Sequence, residues 1–274
     1  MIEDAAEWTD FMDHQNARHC FFERTGPSDF AATPLVQGAW NRTEQHIAPA
    51  LGLIAHAIES DQRQRREDAL RLGRLSYDIL GTIPIGPVAV DVAVLRPGRT
   101  IELVEARMSY DGRPVVLARA WLMQTFDTAA IAGTSFPALP PPGAIAAWDM
   151  STVWAGACIG SMELRREEIG TGRAKAWLRT NVELLVGEDT SPTANMLALA
   201  DIANGIAVRM PPERVAFPNL DLTIHLLRSP LQGWLGLDTT VSFGPNGIGL
   251  THSIMHDSAG VLGSIVQSLT VRPR

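Results

Sequence analysis

The sequence predicts an α+β fold made of two copies of one domain-sized unit. Two landmarks recur at a single spacing, because Pro97 corresponds to Pro245 and Gly112 to Gly260, each pair 148 positions apart (245 − 97 and 260 − 112). In each copy, a segment with helical periodicity precedes a run of alternating strands. This spacing is much longer than a solenoid repeat, so it indicates a duplicated domain. Residues that differ between the copies are therefore candidates for function.

The first copy contains one long predicted helix followed by four predicted strands. The segment Thr43–His46 resembles a helix N-terminus, and apolar residues follow at steps of three and four up to Glu59. The period then changes to alternation, with turns at Pro84–Pro87, Arg96–Arg99 and Asp111–Gly112. We predict an antiparallel meander with strands at Leu75–Leu80, Val88–Leu95, Thr100–Tyr110 and Val115–Gln124.

A proline-rich segment separates the copies. Prolines remove backbone donors and favour extended backbone, so residues 137–143 are predicted to connect an N-terminal repeat at 1–136 to a C-terminal repeat at 144–274. The second copy repeats the pattern, with a helix from about Thr193 to Val208. Its predicted strands are Ile159–Leu164, Ala174–Thr180, Leu220–Leu227, Leu235–Phe243, Ile248–His256 and Val261–Val271.

The second predicted helix is apolar around most of its circumference, as Leu197, Ile202 and Ile206 illustrate. A helix without a polar face needs a sheet that curls around it. A curled antiparallel sheet wrapped around a long central helix is a hotdog fold, so the chain is predicted to be a double hotdog of two fused repeats. Because neither helix suits exposure on its own, we expect the two sheets to lie side by side in one pseudo-symmetric unit.

Composition argues against several classes of partner. The chain has 30 acidic and 23 basic side chains and no basic block, which disfavours nucleic acid and anionic membranes. No apolar run is long enough to span a bilayer, and residues 1–13 lack the features of a signal peptide. The only cysteines are Cys20 and Cys158, which we expect to be buried free thiols rather than nucleophiles. These features predict a cytoplasmic protein.

Several catalytic motifs are missing from the sequence. It has no Gly-x-Ser-x-Gly elbow, phosphate-binding loop or dinucleotide fingerprint, and no Gly-Asp-x-Asn-Pro string of the hotdog hydratases. Serine-hydrolase chemistry, nucleotide hydrolysis and hydride transfer are therefore disfavoured.

Short motifs spread from about Phe22 to Arg274 carry a family resemblance. They are Gly38–Trp40, Pro84–Pro87, Leu95–Arg99, Leu199–Gly205, Asn219–His225, Arg228–Pro230 and Val266–Gln267. In their order and spacing, the chain resembles the acyl-CoA thioesterase-like superfamily of tandem hotdog proteins, which includes type II acyl-CoA thioesterases. One departure lies at Gln45–Pro49, where many relatives carry paired glycines at the helix start.

The resemblance implies a catalytic site in the second copy. In that family a buried carboxylate on the second helix, a hydroxyl residue before the next strand and a glutamine on the last strand position and activate a water. These roles fall on Asp201, Asn219 and Gln267, although an amide such as Asn219 differs in shape from a hydroxyl. The implied activity is direct hydrolysis of a fatty acyl-CoA by a homo-oligomer, with acyl-CoA as substrate and no cofactor or metal.

A comparison of the two copies gives independent support for these residues. At the spacing of 148, Asp201 corresponds to Leu53 and Gln267 to Arg119, so the carboxylate and the amide occur in the second copy alone. Asp201 lies among apolar helix residues, where an unpaired carboxylate would be destabilising by several kcal/mol. The competing interpretations are that Asp201 holds a loop amide and that Gln267 faces solvent.

Three other groups are weaker candidates. Asp221 shares one side of a strand with Asn219, and we expect it to hold Arg228 or a backbone group. His252 and His256 would share a strand face without a third ligand, so no metal site is predicted. Basic residues after the first helix could bind CoA phosphates, although a solvated helix end is the commoner explanation. These are Arg63, Arg65, Arg66, Arg71 and Arg74.

Two alternatives to an active enzyme stay open. A catalytically weak or inactive hotdog protein would bind acyl-CoA or another apolar ligand, and the amide at Asn219 favours it. A structural protein would be favoured if the polar residues proved exposed. Thiol release from a panel of acyl-CoAs separates an enzyme from both alternatives, and thermal stabilisation by a ligand without thiol release identifies a binder.

Overall fold

In the computed structural model, which describes residues 19–274, the first repeat has one long helix and six strands. Helix α1 spans Ile47–Arg65 and follows His46, whose Nδ1 accepts a hydrogen bond from the N–H of Ala48 (3.2 Å). The helix therefore begins later than Thr43 and continues past Glu59. The strands are β1 (Cys20–Arg24), β2 (Asp29–Ala32), β3 (Arg71–Ile79), β4 (Pro87–Arg96), β5 (Ile101–Tyr110) and β6 (Arg113–Met123).

The central helix of the second repeat is interrupted, so the expected continuous helix over residues 193–208 was wrong in this detail. An α-helical segment at Pro192–Leu197 is followed by a 3₁₀ turn at Ala200–Ile202 and a second helical segment at Ala203–Ile206. At Leu199 the backbone has φ −114° and ψ −10°, well away from α-helical values. The helices are α2 (Ala157–Gly160), α3 (Pro192–Leu197) and α4 (Ala203–Ile206), and the strands are β7 (Met162–Gly170), β8 (Arg173–Thr180), β9 (Glu183–Leu185), β10 (Val215–Ala216), β11 (Asp221–Leu226), β12 (Leu235–Phe243), β13 (Ile248–Asp257), β14 (Gly260–Thr270) and β15 (Arg272–Pro273).

Strands of both repeats form one thirteen-stranded sheet in the order β7-β8-β12-β13-β14-β11-β3-β6-β5-β4-β2-β1-β9. Its two halves meet where β3 pairs antiparallel with β11, with Leu75 opposite Ile224. The expected side-by-side packing of the two sheets is thus confirmed. A second link joins the repeats, because β9 pairs parallel with β1 and places Leu185 opposite Phe22. Strands β10 and β15 form a separate two-stranded ribbon.

Helix α1 packs against the interrupted helix at Gly52. A Cβ atom at Gly52 would lie 2.6 Å from the Cβ of Ala198 and 2.7 Å from the carbonyl oxygen of Ala194. Only glycine permits such a close approach of two backbones. Helix α1 also contacts the Ala200–Ile202 turn. The long helix of the first repeat therefore supports the irregular segment that carries Asp201.

Along the strands, corresponding positions of the two repeats are 147 residues apart, not 148. The register shift after Met108 in β5 corresponds to the one after Met255 in β13 (255 − 108 = 147), and Ala120 on β6 and Gln267 on β14 are both fully buried (267 − 120 = 147). Arg119 is exposed. A slip of one residue reverses the face of every side chain in a strand. The expected correspondence of Gln267 with Arg119 was therefore wrong, and Ala120 is its buried counterpart.

The proline-rich connector lies against the second repeat. The indole of Trp177 donates a hydrogen bond to the carbonyl oxygen of Pro140 (2.7 Å), and Nε2 of His256 bonds that of Pro137 (3.0 Å). Beyond the connector, helix α2 takes the place of the first residues of the expected strand Ile159–Leu164. Within residues 19–274, no helix has the length and apolar character needed to cross a membrane.

Candidate active site

The three residues implied by the resemblance meet at one carboxylate oxygen. Oδ1 of Asp201 accepts hydrogen bonds from Nδ2 of Asn219 (2.7 Å) and from Nε2 of Gln267 (2.8 Å). Asp201 lies on the 3₁₀ turn within the interrupted helix, Asn219 shortly before β11, and Gln267 in β14. The fold thus brings together three separate segments of the second repeat, 18 and 66 positions from Asp201.

Both amide groups are held in place. Asn219 is half-buried and its Nδ2 also donates to the carbonyl oxygen of Asp221 (3.1 Å), whereas Gln267 is fully buried. The alternative in which Gln267 faces solvent is therefore excluded. Within the described part of the chain, Oε1 of Gln267 has no hydrogen-bond partner.

Asp201 is only 5% exposed. Burial raises the pKa of Asp201 to about 7, and the hydrogen bonds from Asn219 and Gln267 oppose that increase. Both donors are uncharged, and among residues 19–274 no ion pair involves Asp201, so no cation holds the group ionised. A carboxyl group with a pKa near neutrality can accept a proton at physiological pH.

Asp201 borders a cavity of about 460 Å³ between the two repeats, here called the Asp201 cavity. The first repeat contributes the segment before α1, including Trp40 and His46, and the second contributes Asp201, Asn219 and Trp154. Gln267 does not line this cavity and supports Asp201 from within the sheet. The volume falls in the usual range of small-molecule sites.

An aromatic cluster at the Asp201 cavity was not identified from the sequence. Trp40 contacts Trp154 and Phe217 edge-on, with ring centroids 4.9 and 5.5 Å apart, and the guanidinium of Arg274 lies 5.4 Å from the Trp40 centroid. The signal that could have found it is the Gly38–Trp40 motif, which carries the family resemblance. Trp40 is 38% exposed and therefore stands at the boundary between the cavity and solvent.

The reserve candidate Asp221 has a structural role. Its Oδ1 accepts a hydrogen bond from the backbone N–H of Ser268 (2.6 Å), which fits the expectation of a backbone partner. The other expected partner was wrong, because Arg228 forms a bidentate pair with Asp257 (2.7 and 2.6 Å).

The two histidines of β13 differ in burial. His252 is exposed, whereas His256 is buried, and Nε2 of His256 bonds the carbonyl oxygen of Pro137 in the connector (3.0 Å). Within the described range, no group of three or more potential metal ligands is present.

Two of the arginines near the end of α1 are held in local interactions. Arg65 pairs with Glu102 (2.8 Å) and Asp61 (2.7 Å), and Arg66 pairs with Asp68 (3.0 Å) and donates to backbone carbonyl oxygens. Both guanidinium groups therefore have partners other than a phosphate.

The cysteines are free and buried. Burial and the nearby negative charge of Asp201 raise the pKa of Cys158, so its thiolate is strongly disfavoured. A nucleophilic role for this thiol does not suit its surroundings.

Comparison with known families gives a consistent assignment for most of the chain. Residues 36–123 match the acyl-CoA thioesterase N-terminal domain, and residues 127–271 match the acyl-CoA thioesterase C-terminal domain. A search of curated protein sequences gives no match.

Solved structures show the same fold. A putative thioesterase from Novosphingobium aromaticivorans is 19% identical, with 92% of this chain and 98% of that chain covered and a TM-score of 0.68. The acyl-CoA thioesterase II TesB2 from Mycobacterium marinum is 16% identical (92% and 96% covered, TM-score 0.64). A hot dog fold protein from Alicyclobacillus acidocaldarius is 14% identical (91% and 95% covered, TM-score 0.71). At these identities the similarity establishes the hotdog fold alone.

Proposed function

Because the chain belongs to the acyl-CoA thioesterase family and is a thioester hydrolase, we propose that it cleaves fatty acyl-CoA by direct attack of a water that Asp201 activates. The observation that supports this most is the geometry of Asp201. Two uncharged amides engage one oxygen of a buried carboxylate that borders a cavity between the repeats. This arrangement orients the carboxylate without neutralising it.

In the proposed reaction, Asp201 acts as a general base. Its Oδ1 is occupied by the two amides, which leaves Oδ2 to take a proton from the water as the water oxygen bonds to the thioester carbon. Collapse of the tetrahedral intermediate breaks the carbon–sulfur bond, and the leaving thiolate takes the proton from Asp201. The products are a fatty acid and free CoA, with no covalent enzyme intermediate.

Asn219 and Gln267 act on the base rather than on the carbonyl group. Their hydrogen bonds lower the pKa of Asp201 from the value that burial alone would impose. Without them the carboxyl group would be protonated over more of the physiological range and would be a poorer base. The amide of Asn219 performs this donor role, so its difference from a hydroxyl residue is compatible with catalysis.

The walls of the Asp201 cavity suit an acyl chain. Apolar side chains from both repeats line it, among them Ile47, Ile83 and Ile202. We place the acyl chain along these residues, and the nucleotide part of CoA near the exposed ring of Trp40.

Thiol release is the direct test of this function. The purified protein is incubated with butyryl-, octanoyl- and palmitoyl-CoA, and free CoA is measured for the wild type and Asp201→Asn. The proposal expects release by the wild type and its loss in the variant. Thermal stabilisation by acyl-CoA without thiol release would identify the inactive binder instead.

The proposal also includes a cytoplasmic location in lipid metabolism and assembly into a homo-oligomer. The two free buried cysteines suit a reducing compartment. Sedimentation analysis at micromolar concentration tests the assembly, and a monomer would contradict it.

A further inference from the structure

We propose that His46 is a catalytic residue of this site, whose Nε2–H donates a hydrogen bond to the thioester carbonyl oxygen and to the oxyanion formed from it. This assignment rests on the proposed function, because it adds a residue to the same reaction. It identifies the group that stabilises negative charge opposite the base.

The hydrogen bonding of His46 determines which ring nitrogen carries the proton. Nδ1 accepts a hydrogen bond from the N–H of Ala48 (3.2 Å) at the start of α1, so Nδ1 is unprotonated. The proton of the neutral ring is then on Nε2. Among residues 19–274, Nε2 has no hydrogen-bond partner, which leaves one N–H donor available.

The ring is held firmly at the Asp201 cavity. The backbone N–H of His46 donates to the carbonyl oxygen of Val36 (2.6 Å), and that of Gln45 donates to the carbonyl oxygen of Ile83 (2.7 Å). His46 lines the cavity from the first repeat, whereas Asp201 lines it from the second. The lining of the cavity thus supplies a base from one repeat and a hydrogen-bond donor from the other to a substrate carbonyl.

The neutral state of the ring is favoured by its surroundings. Enclosure lowers the pKa of His46 to about 4, so the imidazole is uncharged at neutral pH. Protonation would also turn Nδ1 into a donor and break the bond from Ala48. His46 therefore donates a hydrogen bond without giving up its proton.

The N-terminus of α1 adds to the stabilisation of the negative charge on the oxyanion. The N–H groups of the first helical turn have no acceptor within the helix, and the helix dipole is positive at this end. Ile47, the first residue of α1, also lines the cavity. An oxyanion beside His46 would therefore lie in a region of positive electrostatic potential.

The water, the thioester, Asp201 and His46 account for every bond and proton in the reaction. As the water oxygen bonds to the carbonyl carbon, the C=O π electrons move to the oxygen, which accepts the hydrogen bond from Nε2–H. When the double bond re-forms, the carbon–sulfur bond breaks and the thiolate takes the proton held by Asp201. His46 keeps its proton throughout.

His46→Ser is the main test variant. Serine is a favourable N-cap and keeps an acceptor for the Ala48 N–H, but it has no donor at the position of Nε2. We expect kcat to fall about a hundredfold, as when one oxyanion donor is removed, with KM little changed. His46→Gln, whose amide N–H can reach the position of Nε2, should restore part of the loss.

A second helix cap provides the matched control. Ser191 Oγ accepts a hydrogen bond from the N–H of Ala194 (3.0 Å) at the start of α3, and Ser191 does not line the Asp201 cavity. Ser191→Ala should lower Tm and leave kcat unchanged. If His46 served only as a cap, His46→Ser would keep the wild-type kcat, and the proposal would be overturned.

A vibrational measurement reports on the same bond without turnover. Octanoyl-CoA that is isotope-labelled at the thioester carbonyl is bound to Asp201→Asn, and the carbonyl stretch is recorded by infrared difference spectroscopy. A lower frequency than in buffer is expected, and the shift should disappear in Asp201→Asn combined with His46→Ser. An identical band in both proteins would overturn the proposal.

The outcomes separate this inference from the proposed function. If the wild type releases no thiol from any acyl-CoA, the proposed function fails and the role of His46 fails with it. If Asp201→Asn abolishes release while His46→Ser does not reduce it, the function stands and the assignment of His46 alone is wrong.

Discussion

Two carboxylates of the second repeat, Asp201 and Glu188, border different cavities, and their pKa values are shifted in opposite directions. The Glu188 cavity has a volume of about 330 Å³ and lies beside the start of α3, as the Asp201 cavity lies beside the start of α1. Glu188 is held by Arg24 (2.6 and 3.0 Å) and His56 (3.3 Å), whereas Asp201 is held by uncharged amides.

The charge of the partner decides what each carboxylate can do. The hydrogen bond from Arg24 holds the pKa of Glu188 below its ordinary value, whereas burial raises that of Asp201 to about 7. Glu188 is thus ionised at neutral pH beside a counter-ion, and Asp201 is a base with access to both protonation states. Of these two cavities, only the Asp201 cavity has an activated carboxylate among the described residues.

The largest expected effect is that of Asp201→Asn. Turnover should fall by about a hundredfold or more, because the amide cannot accept the proton of the water. The new side chain keeps an oxygen for the donors of Asn219 and Gln267, so the fold should survive. Thiol release and Tm are measured on the same preparation. Unchanged turnover in a destabilised variant would refute the catalytic assignment.

The pH dependence of kcat/KM in the wild type tests whether Asp201, unlike Glu188, changes its protonation state near neutral pH. With the pKa of Asp201 near 7, kcat/KM should rise about tenfold per pH unit in the acidic range and level off above about pH 7. A flat profile over this range would contradict the assignment of Asp201 as the base.

Stability should depend on pH in the opposite direction. Because the folded-state pKa of Asp201 is raised from 3.8 to about 7, its contribution is fully present below pH 3.8 and is lost as pH rises through about 7. Asp201→Asn should abolish this loss, so its Tm should exceed that of the wild type above neutrality. Melting curves of the two proteins at acidic and alkaline pH test the prediction.

Gln267→Ala should have a smaller effect, with turnover about tenfold lower. Loss of its hydrogen bond should raise the pKa of Asp201 further and move the midpoint of the pH–rate profile upwards. Combined with Asp201→Asn, it should cost less than the sum of the separate effects, because Gln267 acts through Asp201. A midpoint that does not move would show that Gln267 does not tune the base.

The smallest effect is expected for Glu188→Gln. Turnover should stay within about twofold of the wild type, and the partly exposed ion pair with Arg24 should contribute no more than about 1 kcal/mol of stability. Thiol release and chemical denaturation test both points. A tenfold loss of turnover would show that the Glu188 cavity takes part in catalysis.

Alternating strands were predictable because they combine local periodicity with clear turns. The prediction Leu235–Phe243 coincides with β12, and Ile248–His256 falls one residue short of β13. The break at Leu199 was not predictable, because the residues on both sides remain apolar and no proline or glycine marks it. The one-residue difference between the spacings of 148 and 147 arises at the turns and becomes visible only when the strand pairing is known.

The sequence pointed to Asp201 and Gln267, because a buried carboxylate and an inward amide have no counterpart in the first copy. It did not point to the ring of His46. Propensity favours Thr43 as the helix cap over a histidine, and only the fold brings His46 and Asp201 into the lining of one cavity. Contacts between residues far apart in sequence cannot be obtained from local patterns.

The pairing of β9 with β1 means that one edge of β1 stays unpaired while the rest of the chain is being synthesised. Strand β1 ends at Arg24 but meets its outer neighbour only after Leu185 has been synthesised. At usual translation rates this delay is on the order of ten seconds. During that time the nascent first repeat exposes an unpaired edge, which is a template for association with other chains. Completion of the second repeat is therefore what protects the first.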